Sequence, residues 1–177
     1  MHRLARAACA ATLLALATPG LLRAQQPPQR PDCTAAEHRQ FDYWVGTWDV
    51  TAPNGNKAGE NRISLILDRC VLLEEWTGAG GTTGKSFNVY DRTRQVWHQT
   101  WVDNAGSLLQ LEGKLVDGAM VLEGSTAGAN GSKVMHRVTW SKVGSEPDRV
   151  RQHWQQSTDG GSTWTTAFDG LYTKRSG

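Results

Sequence analysis

In an extended chain, residues two apart project to the same side, and several runs of this sequence use that spacing to put polar groups beside tryptophan. Glu74 stands two residues before Trp76, Gln99 lies between Trp97 and Trp101, and Gln152 precedes Trp154. Ser86, Asn88 and Tyr90 form a further series of the same kind. Indoles supply flat apolar walls, while amides and carboxyls supply direction, and the two together are what a small-molecule pocket requires. The candidate ligand-binding set is therefore Glu74, Trp76, Asn88, Tyr90, Trp97, Gln99, Trp101, Gln152 and Trp154. The competing arrangement turns these faces to solvent and buries the intervening apolar residues; alternation alone does not choose between them. Glu74 is also the one catalytic candidate, because burial against an indole raises a carboxyl pKa and suits it to acid or base work. A structural ion pair with Arg137 is its alternative role, and Glu75 faces the opposite, solvated side.

Other chemistry finds less support. His98, His136 and His153 fall on three separate segments without the short spacing of a metal site. The Gly78 to Gly84 run lacks the Gly-Lys-Ser/Thr ending of a phosphate loop, and no nucleophile elbow is present. No metal or cofactor is expected. Cys33 and Cys70 read as a disulfide, with two unconnected buried thiols as the alternative.

The elements that must position these residues are strands. After Gly46, short alternating runs are punctuated by turn signals roughly every ten residues, the rhythm of consecutive hairpins. Strands are predicted near Thr47 to Ala52, Gly59 to Leu67, Val71 to Thr77, Lys85 to Tyr90, Gln95 to Val102, Leu108 to Leu115, Met120 to Ser125, Lys133 to Ser141, Arg149 to Ser157 and Thr163 to Lys174. Asn54-Gly55, Asp117-Gly118 and Asp159-Gly160 are suited to the positive φ angles of tight hairpins. Ahead of them, Thr34 and Glu37 have capping-box spacing, which predicts a short helix from Ala35 to about Trp44. The fold class that follows is all-β: a closed antiparallel up-and-down barrel of about ten strands behind a short N-terminal helix. A two-sheet sandwich is the rival.

Gly46-Thr47-Trp48, opening the first strand directly after the helix, resembles the Gly-x-Trp signature of lipocalins and related calycin barrels. The resemblance implies that Trp48 packs across the closed floor beside a basic side chain after the last strand, here Lys174 or Arg175. Phe41 to Val50, Trp97 to Asp103 and Phe168-Asp169-Gly170-Leu171-Tyr172 together are similar to a family of uncharacterised bacterial lipocalin-like domains. That similarity implies architecture and carries no activity. The haem-binding nitrobindins open with Gly-x-Trp-x-Gly-x-Gly, and Asp49, Val50 and Thr51 depart from it, with no histidine after His153. Ser157 to Trp164 matches the Asp-box of sialidase propellers, which is structural work in a tight hairpin; the repeats that a propeller needs are missing.

Arg3 and Arg6 followed by the apolar run from Ala7 to Ala17 read as a signal peptide cleaved after Ala24. The organisation is then residues 1–24 as signal, 25–33 as an extended proline-rich leader and 34–177 as the barrel, in the periplasm or secreted. Cleavage would remove three of the 19 basic residues and none of the 17 acidic ones, leaving a nearly neutral chain. Nucleic-acid binding loses its electrostatic basis, and no stable membrane anchor is expected. The leading functional expectation is an exported carrier or sensor of a modest apolar or aromatic small molecule. A cofactor-independent isomerase or hydrolase using Glu74 is the second, and a structural or envelope-interaction domain the third.

Overall fold

The structure, a computed structural model, describes residues 33–145 and 148–176. The signal-peptide and most of the leader assignments lie outside them. Ten strands follow in chain order: β1 (Gly46–Thr51), β2 (Lys57–Ile66), β3 (Val71–Gly78), β4 (Thr83–Asp91) and β5 (Val96–Asp103), then β6 (Leu108–Val116), β7 (Ala119–Ala127), β8 (Lys133–Lys142), β9 (Arg149–Ser157) and β10 (Thr165–Lys174). Each pairs antiparallel with its chain neighbours, and β1 closes on β10 with Trp48 opposite Lys174 and Thr51 opposite Leu171. Closure leaves no free sheet edge. Two expected strands begin later than the sequence suggests. Gln95 takes a positive φ of 57° in the preceding turn, and the Asp159 hairpin holds the chain through Trp164, so that β10 starts at Thr165.

The N-terminal helix is two short 3-10 turns, Ala36–Arg39 and Asp42–Trp44, and not a continuous α-helix. The cap position falls on Ala35, one residue after Thr34, and carries no side-chain cap bond of its own. Tertiary contacts replace the cap. The two turns plug one end of the cylinder: Phe41 and Trp44 stack at 4.9 Å, and Phe41 meets Trp97 and Trp140 edge-on at 5.7 and 5.2 Å. Tyr43 donates to the Trp140 carbonyl at 2.8 Å and accepts from the Met120 amide at 3.1 Å, which pins the plug to the ends of β7 and β8. Phe41, Trp44, Trp48, Trp97, Trp140 and Tyr172 are all at most 1 % exposed. Truncating one such indole costs about 3 to 5 kcal/mol.

The cation implied at the closed end is Lys174, whose Nζ lies 5.6 Å from the Trp48 ring. Gly46 makes this approach possible, since a Cβ there would sit 2.7 Å from Lys174 Cε. Arg175 instead pairs on the outer surface with Asp49 and Glu60. Among the described residues no helix is long and apolar enough to cross a membrane.

Cys33 and Cys70 form a disulfide. It joins the chain entering the plug to the β2–β3 turn, where Leu67, Asp68 and Arg69 all adopt positive φ, between 51° and 67°, without a glycine. Such a run costs roughly 1 to 2 kcal/mol per residue. The bridge and a 2.5 Å bond from Arg39 Nη2 to the Arg69 carbonyl hold it in place. Replacing both cysteines by serine should lower unfolding stability by about 3 to 4 kcal/mol, the loop-closure value for a bridge spanning some tens of residues. Urea titration followed by circular dichroism measures it.

Candidate functional site

Period-two alternation places the polar and aromatic series of β3, β4, β5 and β9 inside the barrel. Glu74, Ser86, Asn88 and Gln99 are buried, and Leu72, Trp97 and Leu111 share their side of the sheet. A cavity of about 550 Å³ opens at the end opposite the plug. Six of the expected residues line it: Glu74, Trp76, Gln99, Trp101, Gln152 and Trp154. Asn88, Tyr90 and Trp97 do not. Asn88 lies one layer deeper, paired with Leu72 in register, and Trp97 belongs to the floor, donating to Gln40 Oε1 at 3.1 Å. Tyr90 packs against His38 and Trp97, beside a separate hollow of about 260 Å³.

Glycines on adjacent strands hold the upper indoles flat. A Cβ at Gly84 would meet Trp101 Cζ2 at 2.3 Å, and one at Gly59 would meet Trp76 Cη2 at 2.6 Å. The two rings therefore lie over bare backbone and leave the lumen open. Phe168 crosses the edge of Trp76 at 5.8 Å and completes that wall.

At the base of the cavity a chain of hydrogen bonds runs in one direction and ends on Glu74. Gln99 Nε2 donates to Asn88 Oδ1 at 2.9 Å, and Asn88 Nδ2 donates to Ser86 Oγ at 2.9 Å. Ser86 Oγ, which also receives Gln99 Nε2 at 3.3 Å, turns its own proton to Glu74 Oε2 at 2.6 Å. From the other side Asn61 Nδ2 donates to Glu74 Oε1 at 2.8 Å and to the Tyr172 hydroxyl at 3.3 Å. Tyr172 in turn donates to Gln152 Oε1. Both carboxyl oxygens thus accept from neutral donors. Burial nonetheless pushes the Glu74 pKa above the usual carboxylate range, against the opposing pull of Ser86 and Asn61. Burial, with the neighbouring Glu74 charge added, holds the Tyr172 phenol well above its ordinary value.

Arg137 is not the partner of Glu74. One residue along from inward-facing His136, it points outside, bonding Glu123 at 2.6 Å and lying 4.2 Å over the Trp164 ring. Glu75 faces outward as expected, bridged by Arg62 and, at 3.0 Å, by Lys85. The three histidines do not converge. His98 contacts Glu112 on the outer surface and His153 contacts Thr166, whereas His136 alone is inside. Its Nε2 meets Thr126 Oγ1 at 2.8 Å, while Nδ1 accepts from Trp154 Nε1 at 3.1 Å. That acceptance requires a bare Nδ1, and burial lowers the pKa further, so His136 is a neutral imidazole. Among the described residues no group of three His, Cys, Asp or Glu side chains is placed to hold a metal.

Asn61, His136, Phe168 and Tyr172 belong to the site but are absent from the expected set. The signal was present as the same-face runs Gly59-x-Asn61-x-Ile63, His136-x-Val138-x-Trp140 and Phe168-x-Gly170-x-Tyr172. No protein-family model matches the chain, and no curated protein is significantly similar to it.

The raised pKa of Glu74 has a definite sign for stability. A native state that holds the proton more tightly than the unfolded chain is favoured by this group below pH 4.5, the ordinary carboxyl value, and loses that advantage as pH climbs toward the raised one. Glu74→Gln should therefore melt above the native chain at neutral pH. The replacement amide can be accommodated because Asn61 Oδ1 has no hydrogen-bond partner and can accept it after an amide flip, while Ser86 keeps its acceptor. The difference in Tm should close as pH falls toward 4.5, which paired thermal melts across that range will measure.

Proposed function

We propose that this protein is an exported, lipocalin-like small-molecule-binding barrel, a carrier or sensor of a modest apolar or aromatic ligand. The observation that carries the reading is the cavity of about 550 Å³, walled by Trp76, Trp101, Trp154 and Phe168 above a hydrogen-bonded polar base. Its size falls within the few hundred to about 1,000 Å³ of small-molecule pockets. A purely structural barrel would fill that volume with side chains. The disulfide supports export, since such bridges persist in oxidising compartments. In this reading Trp76, Trp101 and Trp154 enclose the apolar body of the ligand, and Glu74, Gln99 and Gln152 orient its polar end.

A second reading has one observation in its favour. A buried acid with a raised pKa at the base of an open cavity also suits general acid or base catalysis of an isomerisation or hydrolysis. That reading requires turnover, with Glu74→Gln binding substrate yet leaving it unchanged.

N-phenyl-1-naphthylamine, neutral and fluorescent in apolar surroundings, tests the binding reading. One equivalent should bind and quench tryptophan emission. Trp101→Ala should weaken binding by about tenfold through loss of one aromatic wall. Gly84→Ala should weaken it too, by driving the Trp101 ring inward, with far-ultraviolet circular dichroism unchanged in both. Equal affinity in all three proteins would refute the assignment of the site.

A further inference from the structure

The cavity has an unbalanced charge. Among the described residues two acidic side chains line it, Glu74 at its base and Asp103 at its mouth, and no lysine or arginine does. The cations that flank it in sequence are engaged outside: Arg62 and Lys85 on Glu75, Arg137 on Glu123, and Arg151 on Asp169. Inside, His136 is held neutral by the indole proton it accepts, and Tyr172 keeps its phenolic proton.

Resting on the binding reading above, we infer that the ligand of this cavity carries a positively charged amine beside its apolar or aromatic body, with Glu74 as the counter-ion. Three features of the geometry select a cation. The bonds from Gln99 through Asn88 and Ser86 run toward Glu74, and they form a polarised string whose negative end is the carboxyl. Such a string supports negative charge but leaves it unneutralised. Second, the surrounding walls are π-faces, which attract an ammonium within a desolvated site more strongly than a neutral group. Third, Asp103 is held ionised at the entrance by the backbone amides of Ser107 and Ala105, and it places negative potential on the route in. An anionic ligand would meet repulsion at both ends of the cavity.

The arrangement also couples binding to a proton. Burial raises the Glu74 pKa in the empty site, and an arriving ammonium favours the carboxylate and lowers it again, so amine binding is coupled to loss of the Glu74 proton to solvent. Around it, burial raises the Tyr172 pKa and lowers that of His136, whose Nδ1 accepts the Trp154 indole proton, and backbone amides lower that of Asp103. Amine affinity should consequently rise with pH, while a neutral analogue shows no such trend.

Isothermal titration with three probes sharing one aryl group tests this: 2-(1-naphthyl)ethylamine, 2-(1-naphthyl)ethanol and 1-naphthylacetate. In the unmodified protein the amine should bind about tenfold or more tighter than the alcohol, with the carboxylate weakest. Its affinity should increase on raising the pH from about 5 to about 8, below the titration of the amine itself. In Glu74→Gln the preference of amine over alcohol should shrink toward unity. Equal or tighter binding of the alcohol by the unmodified protein overturns the cationic ligand and leaves the carrier reading standing. An undiminished preference in a folded Glu74→Gln variant overturns the counter-ion. Failure of all three probes to bind removes both.

Discussion

Everything in this molecule depends on closing one end of a cylinder and not the other. A wrapped ten-strand sheet has two openings, and the chain fills one with aromatic rings before the first strand begins. Phe41 and Trp44, delivered by two short helical turns, stack on each other, Phe41 meets Trp140 and Trp97 edge-on, and the Trp48 indole donates to the Trp44 carbonyl at 2.9 Å. Tyr172 joins this floor to the chemistry above it: its ring meets Trp48 at 6.1 Å, and its hydroxyl belongs to the Glu74 cluster. The cavity is thus confined to the opposite end, and its base is a polar layer resting on a hydrocarbon one.

The polar layer is tolerable because it is connected. A buried carboxyl among apolar groups is costly unless its oxygens are occupied. Here two neutral donors occupy them, and Asn88 Nδ2, behind Ser86, also reaches the Leu72 carbonyl at 3.2 Å, while Asn61 Oδ1 is left without a partner. The exterior follows a different rule. Its charges meet in pairs such as Arg151 with Asp169 and Arg175 with Asp49, exposed contacts that contribute little individually. Charge is paired outside, whereas Glu74 inside meets only neutral donors.

The sequence made legible which residues share a face, left open which face turns inward, and concealed the depth of each residue. Trp97, Gln99 and Trp101 do share one face, because a pleat permits nothing else. Their separation into floor, base and wall depends on register between neighbouring strands, such as Trp101 opposite Ser86 and Gln99 opposite Asn88, and a single strand does not encode it. Asn88, Tyr90 and Trp97 therefore fell below the cavity for the same reason that Tyr172 rose to line it and Asn61 reached Glu74. The Asp117-Gly118 turn was readable because both residues take positive φ and both favour it. The Leu67 to Arg69 turn was not, because a bridge to Cys33 and the Arg39 guanidinium impose a conformation that those residue types disfavour.

The hairpin after β9 gives the entrance a property of its own. Asp159 ties the loop together by accepting from Thr163, through both its amide and its hydroxyl, and from Ser157, and these bonds hold its carboxyl far below the usual range. The contribution of a carboxylate so depressed is complete above the ordinary carboxyl value and is lost as pH falls from there toward the folded-state one. The rim and the base consequently respond to acid in opposite senses. In a souring medium Glu74 takes up its proton before Asp159 does, so the base of the barrel changes charge while the ties of this hairpin are still made.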